Sequence, residues 1–175
     1  MSTAATLQAG IDNLLFNCIE AKPGDSLTIV SEQGHGGHYS ATLDKVIEAH
    51  ARNRSLDAHI VAAPVGEEVS AFPADISSAM ESTDHTLFLA RIADQLRFTE
   101  HGCSGSLTMS YALDEQSFAS AFCSAHYKFF VALKSLINTA LFGGKQIVIT
   151  CASGTHLAGV SPVDPGDDAV DDVTI

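Results

Sequence analysis

The residues of this chain that are best suited to chemistry form one glycine- and histidine-rich loop, Gly34-His35-Gly36-Gly37-His38. The loop follows a predicted strand and precedes a predicted helix, where backbone amides can face an anion. The pattern is neither GxGxxG nor GxxxxGK[ST], and no lysine accompanies it to meet a phosphate. It therefore favours a tight strand-to-helix turn, and binding of an anionic metabolite stays the alternative.

The same loop could contribute to a metal site, because His35 and His38 are three residues apart. Zinc needs a third and a fourth ligand. Glu32, Asp94 and His156 could supply them only if the order of the strands brings them together, which the sequence does not fix. We therefore expect no metal site within this chain.

Two further loops place a serine beside glycine, at Ser153-Gly154-Thr155-His156 and Gly102-Cys103-Ser104-Gly105. Neither contains the GxSxG pattern that presents a nucleophile on a strand-to-helix turn. We interpret both as glycine-bearing loops and assign no catalytic residue.

Seven residues remain as candidates for ligand binding: Gly34, His35, Gly36, Gly37, His38, Asp94 and Thr155. All of them follow predicted strands. In an open parallel sheet, ligands collect beyond the carboxyl ends of the strands.

The elements that must position these residues alternate along the chain. Five apolar segments predict strands, at residues 26–31, 58–63, 85–90, 106–112 and 146–152. Helical spacing of apolar residues predicts helices at Ala4–Glu20, from His38 onwards, and at Ala74–Met80, Arg91–Phe98 and Ser124–Phe142. We therefore expect an α/β fold, a mostly parallel five-stranded sheet with helices on both faces, of the Rossmann or flavodoxin type. One domain is expected over residues 1–160, followed by an acidic tail over residues 161–175.

The composition limits the kinds of partner that this chain can bind. The net charge of −12 and the nine scattered basic residues argue against a nucleic-acid surface. No apolar run reaches the length of a membrane span, and the amino terminus does not resemble a secretory signal. Hydrophobic residues make up 46% of the chain and charged residues 17%. This balance indicates apolar surface that is covered by a partner subunit or by a missing domain. For the partner, we expect a homo-oligomer with a dimer interface.

The four cysteines have no CxxC spacing. Cys18 falls on an apolar helix face and Cys151 in an apolar strand, so we predict buried free thiols in a cytoplasmic protein.

Four segments carry a resemblance to a known family. They are TDHTLFLARIADQLRF at Thr83–Phe98, MSYALD at Met109–Asp114, AHYKFFVALKSLINTALF at Ala125–Phe142 and ITCASGTHL at Ile149–Leu157. Together they resemble the amino-terminal half of the aminopeptidase T-like metalloproteins, a family that includes thermophilic metallo-aminopeptidases and 2,5-dihydroxypyridine dioxygenases. Thr150–Leu157 is similar to the family's T-x-x-G-T-x-L strand end, although His156 stands where the family often has Asp.

The resemblance implies an α/β domain followed by a carboxyl-terminal domain that binds a divalent metal, and the acidic tail over residues 161–175 could be the start of that domain. The family's metal ligands would lie beyond Ile175, so none is assigned to this chain. Whether the chain is a fragment or a natural short protein stays open. We therefore expect this chain to be the amino-terminal half of a metal-dependent enzyme, a half that binds no metal and is inactive alone. The alternative is a small Rossmann-like domain that binds an anionic metabolite at Gly34–His38.

Overall fold

The structure is a computed structural model that describes residues 6–32, 37–66, 70–98 and 102–161. The chain divides into two compact units, Met1–His126 and Tyr127–Ile175. The boundary falls inside the range 1–160 that the sequence analysis treats as one domain. Gly34, His35, Gly36 and most of the acidic tail lie outside the described residues.

The first unit contains a four-stranded parallel sheet. Its strands are β1 (Ser26–Glu32), β2 (Asp57–Ala63), β3 (His85–Leu89) and β4 (Ser106–Met109), in the order β2-β1-β3-β4. In the centre of the sheet, Leu27 of β1 lies between Ala58 of β2 and His85 of β3. The mixed α/β fold with a parallel sheet is therefore confirmed.

The helices of this unit are α1 (Leu7–Asp12), which continues as a π-helical segment (Asn13–Cys18), then α2 (Leu43–Asn53), α3 (Ala74–Ser82), α4 (Ile92–Leu96) and α5 (Glu115–Phe118). Thr6 caps α1, because its hydroxyl accepts the Ala9 N–H at 3.1 Å. The Asn13 side chain donates to the carbonyls of Cys123 and Ala125 at 2.8 and 2.9 Å. Of the predicted helix Ala4–Glu20, the described residues are helical over Leu7–Cys18, and the second half is wound more widely than the apolar spacing indicates.

Apolar side chains cover both faces of the sheet. One cluster joins Leu27, Ile29, Leu87 and Leu89 to helices α1 and α2. The other joins Val30, Phe88 and Ala90 to helices α3 and α4. Adjacent strand residues point to opposite faces, so each buried strand supplies both clusters, which is why these segments are continuously apolar.

Helix α1 and helix α5 meet at Gly10. A Cβ atom at this glycine would lie 2.0 Å from the carbonyl oxygen of Phe118. The two backbones can approach this closely only because Gly10 has no side chain.

The second unit consists of α6 (Tyr127–Leu141), β5 (Gln146–Thr150) and β6 (His156–Val160). The fifth predicted strand forms, but it pairs antiparallel with β6, with Thr150 opposite His156. Instead of five parallel strands, the described residues show four parallel strands and a separate hairpin. The turn is made by Gly154, whose positive φ of 96° closes Ser153-Gly154-Thr155, a stretch that the sequence analysis interprets as a loop.

All four cysteines are free. Cys18, Cys103 and Cys123 are half-buried, whereas Cys151 is exposed just after β5. The prediction that Cys151 is buried is therefore wrong, because β5 belongs to an exposed hairpin and not to the covered sheet. Within the described part of the chain, no helix has both the length and the apolar character needed to cross a membrane.

Candidate functional site

The carboxyl edge of the parallel sheet has a switch point between β1 and β3. The chain leaves β1 towards β2 on one side, and leaves β3 towards β4 on the other. Loops that diverge in this way open a crevice, and open α/β sheets bind ligands there. Glu32 is the last residue of β1, and Arg91 lies just beyond β3.

The Glu32 carboxylate joins the two diverging loops. Its Oε2 accepts the backbone N–H of His38 at 2.8 Å, and its Oε1 accepts the backbone N–H of Arg91 at 2.6 Å. Hydrogen bonds to a carboxylate are stronger than neutral ones, so this residue fixes the floor of the crevice.

Two tyrosine hydroxyls extend the polar cluster. The Tyr39 Oη donates to the carbonyl of Ser110 at 2.5 Å, and the Tyr111 Oη donates to Oδ1 of Asp94 at 3.0 Å. Burial raises the pKa of Tyr39 well above its usual range, and the nearby carboxylate of Glu32 adds to this effect. Tyr39 therefore remains a neutral hydroxyl at physiological pH.

Arginine side chains balance the acidic groups of the site. Arg91 Nη2 lies 3.8 Å from Oδ2 of Asp94, and Arg97 Nη1 lies 3.7 Å from Oδ1 of the same residue. The side chains of Arg91, Asp94 and Arg97 are 50%, 34% and 40% exposed, so a ligand can reach all three. We call Glu32, Tyr39, Arg91, Asp94 and Tyr111 the switch-point site.

The switch-point site can bind and orient a small polar molecule. It offers a guanidinium group for an acidic or oxygen-rich end, and carboxylate and hydroxyl oxygens for a donor. It does not fit a metal ion, because both oxygens of Glu32 accept backbone N–H groups and Asp94 is engaged by Tyr111 and two arginines. Across the described ranges, no group of three His, Cys, Asp or Glu side chains could hold a metal.

The structure brings together some of the residues predicted from sequence. Gly37 and His38 lie on the loop after β1, and Asp94 lies on α4 at the same sheet edge. Gly34, His35 and Gly36 lie outside the described residues. Thr155 lies in the second unit.

Tyr39 and Tyr111 were missed as site residues. Tyr39 falls within the helix predicted from His38 onwards, but α2 begins only at Leu43. Tyr111 falls within the fourth predicted strand, at residues 106–112, but β4 ends at Met109. For Tyr111, the signal that could have found it is a hydroxyl-bearing aromatic residue two positions beyond the end of a strand. Tyr39 lies seven residues after β1, so the sequence offers no such signal for it.

A second polar cluster ties α1 to α2. The Asp12 Oδ1 lies 2.7 Å from Nε2 of His50, and its Oδ2 pairs with the Arg54 guanidinium. Burial acts to raise the pKa of Asp12, but the hydrogen bonds from His50 and Arg54 outweigh it and the pKa is lowered. Asp12 and Arg54 also line an open cavity of about 590 Å³ in the first unit, together with Phe16, Asn17 and His126.

Thr155 belongs to the turn between β5 and β6. Its carbonyl accepts the Cys151 N–H at 3.2 Å, and the Gly154 N–H donates to the Cys151 carbonyl at 3.1 Å. A hydrogen bond with the Thr155 side chain, supported by backbone donors, lowers the pKa of Cys151 to about 7. The effect of Thr155 on this thiol is a property that its position in the sequence did not indicate.

No family model, no curated protein and no solved structure matches this chain.

Proposed function

We propose that this chain is the substrate-binding α/β domain of a metal-dependent enzyme that resembles the aminopeptidase T-like proteins. The observation that carries the proposal is that two of the segments similar to that family meet at one edge of the sheet. Thr83–Phe98 supplies Arg91 and Asp94, and Met109–Asp114 supplies Tyr111. Tyr111 donates to Asp94 at 3.0 Å, so the polar residues of both segments meet at the sheet edge where ligands bind.

The strand order supports a finer assignment of the fold. The order β2-β1-β3-β4 equals that of the first four strands of a flavodoxin-like sheet, which binds its ligand at the switch point between the first and third strands. We propose that the first unit is related to that type of α/β domain.

In this role the chain holds and orients the substrate. Arg91 would bind a carbonyl or carboxylate oxygen, Asp94 would accept a hydrogen bond from an amine or hydroxyl, and Tyr111 keeps Asp94 in place. A divalent metal, bound by a carboxyl-terminal domain of the family's kind, would supply the Lewis acid. The switch-point site itself does not hold it.

Ligand titration of the purified chain tests the proposal. Leucinamide and 2,5-dihydroxypyridine represent the two substrate classes, and backbone amide NMR shifts report the binding site. We expect saturable shifts at Arg91 and Tyr111 with one of the two. Because a hydrogen bond to a charged group contributes about 1.5–3 kcal/mol, Arg91→Ala should weaken binding by roughly tenfold to a hundredfold.

Arg52→Ala is the matched control, because Arg52 lies on α2 and pairs with Glu48. It should leave the affinity unchanged. Saturable shifts that lie away from the switch-point site, or equal affinity in Arg91→Ala, would contradict the proposal.

A second candidate is a small domain that binds an anionic metabolite at the Gly34–His38 loop. It is favoured by the backbone N–H groups of His38 and Arg91, which already converge on a negative group, the Glu32 carboxylate. An anion would take the place of that carboxylate. Saturable binding of a phosphate ester, with no binding of leucinamide or 2,5-dihydroxypyridine, would favour this candidate.

We also propose a cytoplasmic location and a homo-oligomeric state. The four free cysteines support the location, because unpaired thiols persist in a reducing compartment. The exposed apolar surface of the second unit supports the oligomer.

A further inference from the structure

A second cluster of reactive side chains lies at the amino edge of the parallel sheet, at the opposite ends of the strands from the switch-point site. His85 is the first residue of β3, Ser106 is the first residue of β4, and Asp25 directly precedes β1. Strand β3 lies between β1 and β4, and His85 is the partner of Ser106 in the parallel register. The strand order therefore brings these three residues of the first unit together.

The ring of His85 joins the other two side chains by hydrogen bonds. Its Nε2 lies 3.0 Å from Oδ2 of Asp25, and its Nδ1 lies 2.7 Å from Oγ of Ser106. A carboxylate can only accept, so in the neutral ring Nε2 carries the proton and Nδ1 accepts the hydroxyl of Ser106. A nucleophile, a base and a group that orients the base are the three parts that activate a serine.

Backbone groups hold both ends of this cluster. The Asp25 Oδ2 also accepts the Lys22 N–H at 2.7 Å. The hydrogen bonds from His85 and Lys22 lower the pKa of Asp25, so its carboxylate is ionised at neutral pH. At the other end, the Ser106 N–H donates to the carbonyl of Asp84 at 2.9 Å, which fixes the backbone of the serine beside the histidine.

Gly105 permits the close approach of the segments that precede β3 and β4. A Cβ atom at this glycine would lie 2.5 Å from the carbonyl oxygen of Thr83 and 2.8 Å from that of Asp84. The two backbones can lie this close only because Gly105 has no side chain. The glycine thus allows Ser106 to reach its position next to His85.

We propose that Asp25, His85 and Ser106 form a catalytic site that hydrolyses small carboxylic esters through an acyl-serine intermediate. The Ser106 Oγ attacks the acyl carbon while its proton passes to Nδ1 of His85, and Asp25 stabilises the imidazolium that forms. The bond between the acyl carbon and the alcohol oxygen then breaks, and the alcohol leaves with that proton. Water attacks the acyl carbon, its proton passes through His85 to Oγ of Ser106, and the acid is released.

This inference goes beyond the proposed function, since it assigns a reaction to the opposite edge of the sheet. Its failure would leave the ligand titration of the switch-point site untouched.

A fluorophosphonate, which phosphonylates activated serine hydroxyls, tests the nucleophile in the full chain. Peptide mass spectrometry should locate the phosphonate on Ser106, and Ser106→Ala and His85→Gln should lose it. Asp25→Asn should slow the labelling by up to about 10⁴-fold, because an amide can donate to Nε2 and favour the wrong tautomer. Ser104→Ala is the matched control, since it removes a hydroxyl two residues away, and it should label like the wild type.

Turnover is measured separately, with 4-nitrophenyl acetate as the ester. The thiolate of Cys151 would also react with this ester, so the assay uses Cys151→Ala. In that background the chain should release 4-nitrophenolate over many turnovers. Addition of Ser106→Ala should reduce the release to the rate in buffer alone.

A wild-type chain that takes up no label, a label on Ser106 that persists in His85→Gln, or turnover that survives Ser106→Ala would each overturn the proposal. Circular dichroism checks that the variants fold. If His85→Gln does not, Asp25→Asn takes its place, and an unchanged rate of labelling in that variant is the result that contradicts the proposal.

Discussion

At the scale of single residues, the local partners of a side chain set its chemistry more than its type does. Cys151 and Cys18 are both free thiols, but their pKa values move in opposite directions. The hydrogen bond with Thr155 lowers the pKa of Cys151 to about 7, whereas burial and the neighbouring Cys123 raise the pKa of Cys18. The sequence predicts that both thiols are free, but it cannot show which one ionises, because that depends on a turn between two paired strands.

Cys151 should therefore be the most reactive thiol near neutral pH. At pH 7 about half of it is thiolate, against a few per cent for an ordinary cysteine. Alkylation by iodoacetamide, followed by mass spectrometry as a function of pH, should show a midpoint near pH 7 for Cys151 and slow modification of Cys18. Thr155→Val should move the Cys151 midpoint upward, and Thr139→Val, on α6, should not. Equal rates at Cys18 and Cys151 would contradict this.

Asp12 makes the stability of the first unit depend on pH. Its folded-state pKa is lowered, so its contribution is present above the unfolded value of about 4 and is lost as the pH falls through the folded value. Asp12→Asn should cost about 1 kcal/mol at pH 7 and less at pH 3. Urea denaturation at both pH values measures the difference, with the exposed Asp57→Asn as control. The same loss at both pH values would show that the charge of Asp12 does not matter.

At the scale of elements, the sequence predicts the sheet well and the ends of its elements poorly. Strands β1 to β3 are predicted to within about one residue, because continuous apolar runs mark buried parallel strands. Helix α2 begins at Leu43, five residues after its expected start at His38, and Tyr39 therefore lies in the site. Apolar spacing alone cannot distinguish a helical turn from a loop whose tyrosine packs on the same core.

The hairpin of β5 and β6 was missed because its turn contains no NG or DG pair.

The contact between α1 and α5 is a prediction at this scale. Gly10→Ala would place a methyl group 2.0 Å from the backbone oxygen of Phe118, so the two helices must separate. Overpacking of this kind costs about 1–3 kcal/mol, although alanine is the better helix former. Urea denaturation should show the loss. Gly102→Ala is the control, because a Cβ atom there meets no atom within 4 Å. An unchanged or increased stability of Gly10→Ala would contradict the close approach.

At the scale of the whole molecule, the sequence predicts the α/β class and an excess of apolar residues, but not where exposed apolar side chains lie. Most of the exposed large apolar side chains lie on α6 and on the hairpin of β5 and β6. The described part of this unit contains no acidic residue. Periodicity predicts α6 as a helix with one apolar face, yet it gives no partner for that face. The order of the strands is likewise absent from the sequence, and it alone brings Glu32, Arg91 and Tyr111 to one edge.

The π-helical segment has a consequence for chain length. In Asn13–Cys18 the Ile19 N–H donates to the Leu14 carbonyl, five residues earlier, so the turn contains one residue more than an α-helical turn. A chain without Asn17 could close the same turn in α-helical geometry and still place Leu15 and Ile19 towards the core, because residues three apart share a helix face. Related chains should therefore differ from this one by a single-residue gap in this segment, with the fold on either side of the gap retained.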